Sequence, residues 1–249
     1  MKYYVISDVH SFYDEMIEAL TEKGYFSDAE PHKLIICGDL FDRGPDAKKM
    51  QAFVLEKLRN DECILIKGNH EDLLEELICD FEFGNHQNGI PAYHFSNGTV
   101  DTVVQLANVS INDMYVAPER VAKRMKATPA VSEIIPSMLN YFETEHYVFV
   151  HGWFPIYSKL EHKRIKNWRK AEPIDWKGAR WDNGIQRARD GWLVPDKTVV
   201  CGHYYCGFGR TGEGVCVRSA YEPYYAEGII AIDASVSRTQ IINCLVIDD

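Results

Sequence analysis

The run Lys33-Leu34-Ile35-Ile36-Cys37-Gly38-Asp39-Leu40-Phe41-Asp42-Arg43-Gly44 governs the reading of this chain. Its first five residues have the length and apolar content of a buried strand, and Gly38 ends it. Two carboxylates and a guanidinium follow at once. Taking such charges out of water is costly unless a metal ion or a phosphate balances them. Open α/β sheets gather their ligands just beyond the carboxyl ends of the strands. The run therefore predicts a binding site at a strand end rather than a structural turn.

The same pattern stands on either side. Tyr3–Ser7 reads as a strand followed by Asp8-Val9-His10, where alternation about Val9 lets carboxylate and imidazole point the same way, as two ligands of one metal would. Cys63–Lys67 reads as a third strand, followed by Gly68-Asn69-His70-Glu71, which supplies an amide oxygen for a hard metal and an imidazole able to move a proton. Between them, Tyr13–Lys23 and Asp46–Asn60 carry Met16, Ile17 and Leu20, then Met50, Phe53, Val54 and Leu58, at helical spacing. Asp8, Asp39 and Asn69 stand 31 and 30 positions apart, the length of one βαβ unit, so successive strands would deliver them to one edge.

Further strands are predicted at Tyr147–Val150, Thr198–Cys201, Gly228–Asp233 and Ile241–Ile247. His151-Gly152 follows the first and Gly202-His203 the second, each glycine clearing space beside an imidazole. Residues 72–145 read instead as helices and a loop rich in Gly, Asn and His (Gly84–Gly98), with no strand. This stretch is expected to form a helical insertion over one end of the sheet, as a lid or as a packing layer. No repeat, low-complexity segment or dividing linker interrupts residues 1–249, so one domain is expected.

With 249 residues, 46% hydrophobic and 26% charged, the chain can bury a substantial core. A net charge of -10 argues against general affinity for nucleic acid or anionic membrane, both of which need a basic face. The seven cysteines show no zinc-knuckle pairing and are read as reduced thiols acting as small hydrophobes. Asp8 comes too early for a signal peptide, and no apolar run approaches the roughly 18 residues of a membrane span. A cytoplasmic protein is expected.

In order, Asp-x-His, Gly-Asp-x-x-Asp-Arg-Gly, Gly-Asn-His-Glu, His-Gly and Gly-His resemble the signature of the calcineurin-like metallophosphoesterases. The Asp-Arg-Gly ending resembles the phosphoprotein phosphatase branch, which holds both protein Ser/Thr phosphatases and symmetrical diadenosine tetraphosphate hydrolases. The likeness is to its small bacterial and phage enzymes. It implies an α/β fold, with a β-sandwich core flanked by helices and a helical insertion. It also implies that Asp8, His10 and Asp39 bind one divalent ion and that Asp39, Asn69, His151 and His203 bind a second. A bridging Asp39 suits two dications roughly 3.5–4 Å apart, which repel without an anion between them. Mixed N and O ligands without thiolate suit Mn, the first expectation, or Fe, Zn or Ni. Attack by a metal-bound hydroxide is implied, with His70 as the general acid and Asp42 holding its ring. Arg43 would grip the phosphoryl oxygens, with Asn69 beside it.

Three departures stand out. Ser11 replaces the glycine that commonly follows Asp-x-His. Gly202-His203-Tyr204-Tyr205 lacks the second histidine that many wider-family esterases carry, which favours the phosphatase branch. Arg180 precedes Trp181 where a phosphate-binding arginine is usual near a tryptophan, so Arg180 is either a substrate ligand or an ordinary salt bridge.

His32, His86, His94, His146 and His162 match no motif and are read as exposed or loop histidines without a role. The aromatic set Trp153, Trp181, Tyr204, Tyr205, Tyr221, Tyr224 and Tyr225 is read mainly as core, with a substrate pocket as the alternative. Asn97-Gly98-Thr99 is either a turn or a segment near the site. The expected activity is metal-dependent phosphomonoester hydrolysis, on phosphoserine or phosphothreonine in proteins or on small phosphate esters. The alternatives are hydrolysis of a dinucleoside polyphosphate or other nucleotide, and a silent module that binds phosphorylated partners.

Overall fold

Alternation along each strand dictates the layers. The computed structural model describes residues 1–84, 89–209 and 219–249; His86 and Cys216 lie outside the described residues. β1 (Lys2–Ile6), α1 (Tyr13–Glu22), β2 (His32–Cys37), α2 (Ala47–Arg59) and β3 (Cys63–Ile66) form the βαβαβ unit that the spacing predicts. The three strands are parallel and in register, with Val5 opposite Ile35 and Ile35 opposite Ile64. α3 (Asn69–Phe83) starts directly after β3, and α4 (Ala92–Ser96), α5 (Thr99–Ala107), α6 (Ile111–Val116) and α7 (Pro118–Lys126) follow.

The chain then builds a second sheet from β4 (Phe142–Glu143), β5 (Tyr147–Phe149), β8 (Thr198–Cys201), β9 (Tyr224–Ala226) and β10 (Ile229–Ala231), in the order β4-β5-β8-β10-β9. β6 (Tyr157–Ser158) and β7 (Lys163–Arg164) form a small hairpin outside it, and β11 (Leu245–Asp248) returns antiparallel to β1. β5, β8 and β10 are mutually parallel, so their carboxyl ends share an edge.

Tyr3, Val5, Ile35, Cys37 and Ile66 of the first sheet meet Phe149 and Val200 of the second in one buried layer. Their neighbours Tyr4, Ile6, Leu34 and Ile36 face α1, α2 and the later helices, and Val148, Val199 and Cys201 face an outer layer with Trp153, Trp168 and Trp176. Strands buried on both faces read as continuous apolar runs, which is why the sequence reveals them. Each fully buried aliphatic side chain contributes roughly 1.5–3 kcal/mol. The result is the α/β sandwich flanked by helices.

Some local expectations need correction. β4 lies within residues 72–145, and Leu139 bridges to Ile66, so that stretch is not free of strand. Residues 241–244 precede the last strand instead of opening it; there the Asn243 amide donates to the Tyr221 and Ile232 carbonyls. Among the described residues no helix is long and apolar enough to cross a membrane. Cys37, Cys63, Cys201, Cys206 and Cys244 are buried thiols.

Candidate metal centre

The loops after β1 and β2 extend the strand pairing beyond the strands. Asp8 N–H donates to the Gly38 carbonyl (3.2 Å), His10 N–H to Asp39 (2.9 Å) and Ser11 N–H to Leu40 (2.9 Å). Asp8, His10, Asp39, Asp42, Arg43 and His203 all take positive φ, between 47° and 73°. Each such non-glycine residue costs on the order of 1 kcal/mol, and strain of this kind collects where side chains must be aimed. Ser11 adopts φ 60° as well, so the position where a glycine is common keeps a glycine-like backbone.

Asp39 lies at the centre. Its Oδ2 is 3.7 Å from His10 Nε2 and 3.8 Å from His70 Nε2, and its Oδ1 is 3.4 Å from His151 Nε2. Ligand atoms of His10, Asp39 and His70 fall within 4.8 Å of one another, as do those of Asp39, His151 and His203. Two cation-sized clusters thus share one carboxylate. His70 rather than the expected Asp8 completes the first group; Asn69 Oδ1 lies 2.8 Å from His151 Nε2, and Asp8 Oδ2 accepts the His203 backbone N–H at 2.9 Å.

The chemistry of these donors fits divalent cations. His10 Nδ1 donates to the Phe41 carbonyl (3.0 Å) and His151 Nδ1 to the Cys37 carbonyl (2.8 Å), which leaves each Nε2 with a lone pair turned toward Asp39. The lone pair of His151 faces the amide oxygen of Asn69, an acceptor against an acceptor. Among the described residues, buried His203 Nε2 has no hydrogen-bond partner. Arg43 sends Nη1 to His10 Nε2 (2.7 Å) and Nη2 to His70 Nε2 (2.9 Å), so a cationic group already sits between two of the imidazoles.

Charge points the same way. Asp8, Asp39, Asp42, Glu71 and Asp233 are all buried here. Burial pushes Asp8 well above the usual carboxylate range, with Asp233 and Asp39 adding to the shift. Burial lifts Asp233 to about 6, and burial with Asp39 lifts Glu71 to about 7. Burial opposes the charge of Asp39, but a proton on His151, His70, His10 or His203 favours it, and its pKa lies below the usual carboxylate range. His10 and His151 are lowered by burial, and burial with His151 brings His203 down to about 3, so all three are neutral and able to ligate near pH 7. Divalent cations held here would offset this concentration of buried carboxylates.

His70 differs from the other imidazoles. Burial works against its charged form, yet Asp39 and Asp42 outweigh it and its pKa is raised. Its Nδ1 donates to Asp42 Oδ2 at 2.8 Å. Glu71, on the first turn of α3, accepts N–H groups from Gly68 (2.8 Å), Leu40 (2.8 Å) and Asp39 (3.2 Å), and so ties the second and third loops together. A Cβ on Gly202 would fall 2.0 Å from Asp8 Oδ2, which explains the glycine before His203.

Arg180 is drawn elsewhere. Its Nε and Nη2 donate to both oxygens of Asp72 (2.7 and 3.0 Å) and its Nη1 to Asn140 (2.9 Å), with none of these bonds to the Asp39 cluster. Glu71 stood in the Gly-Asn-His-Glu motif and Asp233 at the end of a predicted strand, both without a role, and Asp72 and Thr102 carried no signal. Thr99 was within the Asn97-Gly98-Thr99 segment, whose Gly98 abuts the Arg43 backbone. Two expectations are overturned. His94 is fully buried, not exposed. Of the aromatic set only Trp153 is wholly core, whereas Trp181 is 46% and Tyr225 63% exposed.

Comparison with known proteins agrees with the geometry. The family model described as calcineurin-like phosphoesterase matches residues 1–230. A bis(5'-nucleosyl)-tetraphosphatase [asymmetrical] of Bacillus velezensis is 37% identical over 28% of this chain and 30% of its own length. The similarly described protein of Bacillus cereus strain Q1 is 27% identical over 66% of this chain and 55% of its own. A symmetrical bis(5'-nucleosyl)-tetraphosphatase of Buchnera aphidicola is 38% identical over 28% and 24%. The chain thus spans at most 55% of the length of these relatives. A cold-active protein tyrosine phosphatase structure shares the fold, with TM-score 0.56 and 16% identity over 99% of this chain and 73% of that one. Two His/Asp groups that could each hold a metal ion thus lie in a chain that belongs to the calcineurin-like phosphoesterase family.

Proposed function

We propose that this enzyme hydrolyses dinucleoside polyphosphates or related nucleotide phosphate esters, at a centre built from Asp8, His10, Asp39, Asn69, His151 and His203. The observation that carries the substrate class is an aromatic ledge beside the metal-facing histidine. Trp181 meets the His203 ring edge-on at 5.8 Å and Tyr204 meets it at 4.6 Å. Phe208 packs 4.6 Å from Tyr204, and both Trp181 and Phe208 are more than 40% exposed. Exposed rings at the rim of a phosphate site suit stacking on a base. The similarity to nucleosyl-tetraphosphatases supports the same reading, ahead of the phosphoprotein substrate that the Asp-Arg-Gly ending brought forward.

Two divalent cations held there would supply Lewis acidity toward the phosphoryl oxygens and activation of water. The chain's own groups do the rest. Arg43 would turn the two N–H donors that it aims at His10 and His70 toward the negative charge that develops on the equatorial oxygens. Once Arg43 Nη2, which lies 2.9 Å from His70 Nε2, turns to the substrate, His70, with its pKa raised, donates a proton from Nε2 to the departing oxygen while Asp42 holds Nδ1. Asn69 fixes the second cluster against the substrate. The test is product analysis with diadenosine tetraphosphate and a phosphoserine peptide, side by side on metal-reconstituted protein. Preferred turnover of the dinucleotide supports the proposal; preferred release of phosphate from the peptide rejects it in favour of a protein phosphatase.

A further inference from the structure

We propose that the first turn of α5 positions the acid of the reaction, with Thr99 and Thr102 fixing the Asp42 carboxylate that orients His70. This rests on the reading of His70 as the proton donor. Thr99 Oγ1 donates to Asp42 Oδ2 at 2.9 Å and Thr102 Oγ1 to Asp42 Oδ1 at 2.6 Å. The backbone N–H of Asp42 returns a bond to Thr102 Oγ1 at 2.9 Å. Both oxygens of Asp42 are therefore held before the imidazole is counted. Residues three apart on a helix lie on the same face, so one turn presents both hydroxyls to one carboxylate.

The arrangement is sealed from water: Thr99, Thr102, Asp42 and His70 are 0–2% exposed. Gly98, at φ +84°, lets the turn come this close, since a Cβ there would lie 2.3 Å from Arg43 N. Helix packing alone would be served as well by valine at both threonine positions, which has nearly the same shape. The hydroxyls instead saturate a buried acceptor and lock His70 Nδ1–H toward it, which leaves Nε2 as the atom facing the reaction. Thr99 and Thr102 are positioning residues, acting through Asp42 and His70.

Thr99→Val, Thr102→Val, both Thr→Ser variants and His70→Asn are assayed on the p-nitrophenyl and phenyl esters of whichever phosphate class turns over. An activated leaving group needs little proton donation and an unactivated one needs much. His70→Asn and the valine variants are expected to lose roughly 100-fold in kcat on the phenyl ester and less than about threefold on the p-nitrophenyl ester. The serine variants retain the parent ratio, and metal content by elemental analysis stays constant. Equal losses on both esters, or no loss, from the valine variants while His70→Asn is selective would overturn the positioning role alone. An unselective His70→Asn would overturn the role of His70 and this inference with it. Should Thr102→Val fail to fold, Thr99→Val removes one hydroxyl and carries the same comparison.

Discussion

Nε2 of His151 stands 3.4 Å from Oδ1 of Asp39, and that gap joins the two sheets. Asp39 follows β2 of the first sheet and His151 follows β5 of the second. Neither sheet completes the proposed centre alone: the loops of the first carry Asp8, His10, Asp39 and Asn69, and those of the second carry His151 and His203. The packed layer between the sheets therefore sets ligand geometry as well as stability.

Asp39→Asn should disable both clusters, because each includes this carboxylate. Loss of an outer partner of a metal ligand costs 10–100-fold. Loss of the shared ligand should exceed about 100-fold in kcat and lower the metal content from two ions per chain. Elemental analysis beside steady-state kinetics checks this; two tightly held ions with near-parent turnover would contradict it.

How much of this was legible in the sequence follows from burial. β1, β2 and β3 could be read because both faces are covered, so Tyr3–Ile6, Leu34–Cys37 and Cys63–Ile66 are apolar throughout, and the 31- and 30-residue spacing aligned their ends. β4 could not, since two residues pairing at an edge carry no periodicity. Asp42 and His70 stood inside motifs, whereas Thr102 and Asp233 reach the site only through the folding of α5 and β10. Arg180 was recognisable as a candidate, but its partner Asp72 lies 108 positions away and no local pattern links them.

Chelation followed by metal addition should move thermal stability. Ions that bind only the folded state stabilise by about 2.7 kcal/mol at 100 times Kd, which for a chain of this size raises Tm by about 5–10 °C. Differential scanning calorimetry with EDTA, then graded Mn²⁺, measures it. An unchanged Tm would mean that the buried carboxylates need no cation.

Metal binding should release protons at pH 6. Raised carboxylates hold protons below their shifted pKa, so without metal Asp8, Asp233 (about 6) and Glu71 (about 7) carry protons that bound dications expel. His10, His151 and His203 are lowered and already neutral there, so they contribute few. Affinity should fall as pH drops from 7 to 5. Titration calorimetry in two buffers of different ionisation enthalpy reads the release directly, and identical heats would refute it.

Gly202→Ala should damage the site without unfolding the chain. The added Cβ would meet Asp8 Oδ2 at 2.0 Å and Ser7 Oγ at 2.6 Å, so the Asp8 carboxylate must move. Turnover should drop by roughly 10–100-fold, the range for a disturbed metal environment. Circular dichroism should match the parent; parent-like turnover would show that Asp8 has room to spare.

Arg180 gives two readings with opposite signatures. Its side chain is 8% exposed and its bonds go to Asp72 and Asn140, while Lys67 also lies 3.2 Å from Asp72. Removing Arg180 strands part of the Asp72 charge while Lys67 answers the rest, so Arg180→Met should cost less than the roughly 3–5 kcal/mol of an uncompensated buried charge in urea denaturation. Replacing both partners removes the stranded charge, and Asp72→Asn combined with Arg180→Met should recover part of that loss. If Arg180 held the tie between α3 and the loop after Gly178 only, kcat/KM of the single variant would stay within a few-fold of the parent. A phosphate ligand would behave otherwise, with KM rising at least about tenfold and the second substitution leaving that rise in place, because Asp72 cannot restore a lost contact to substrate.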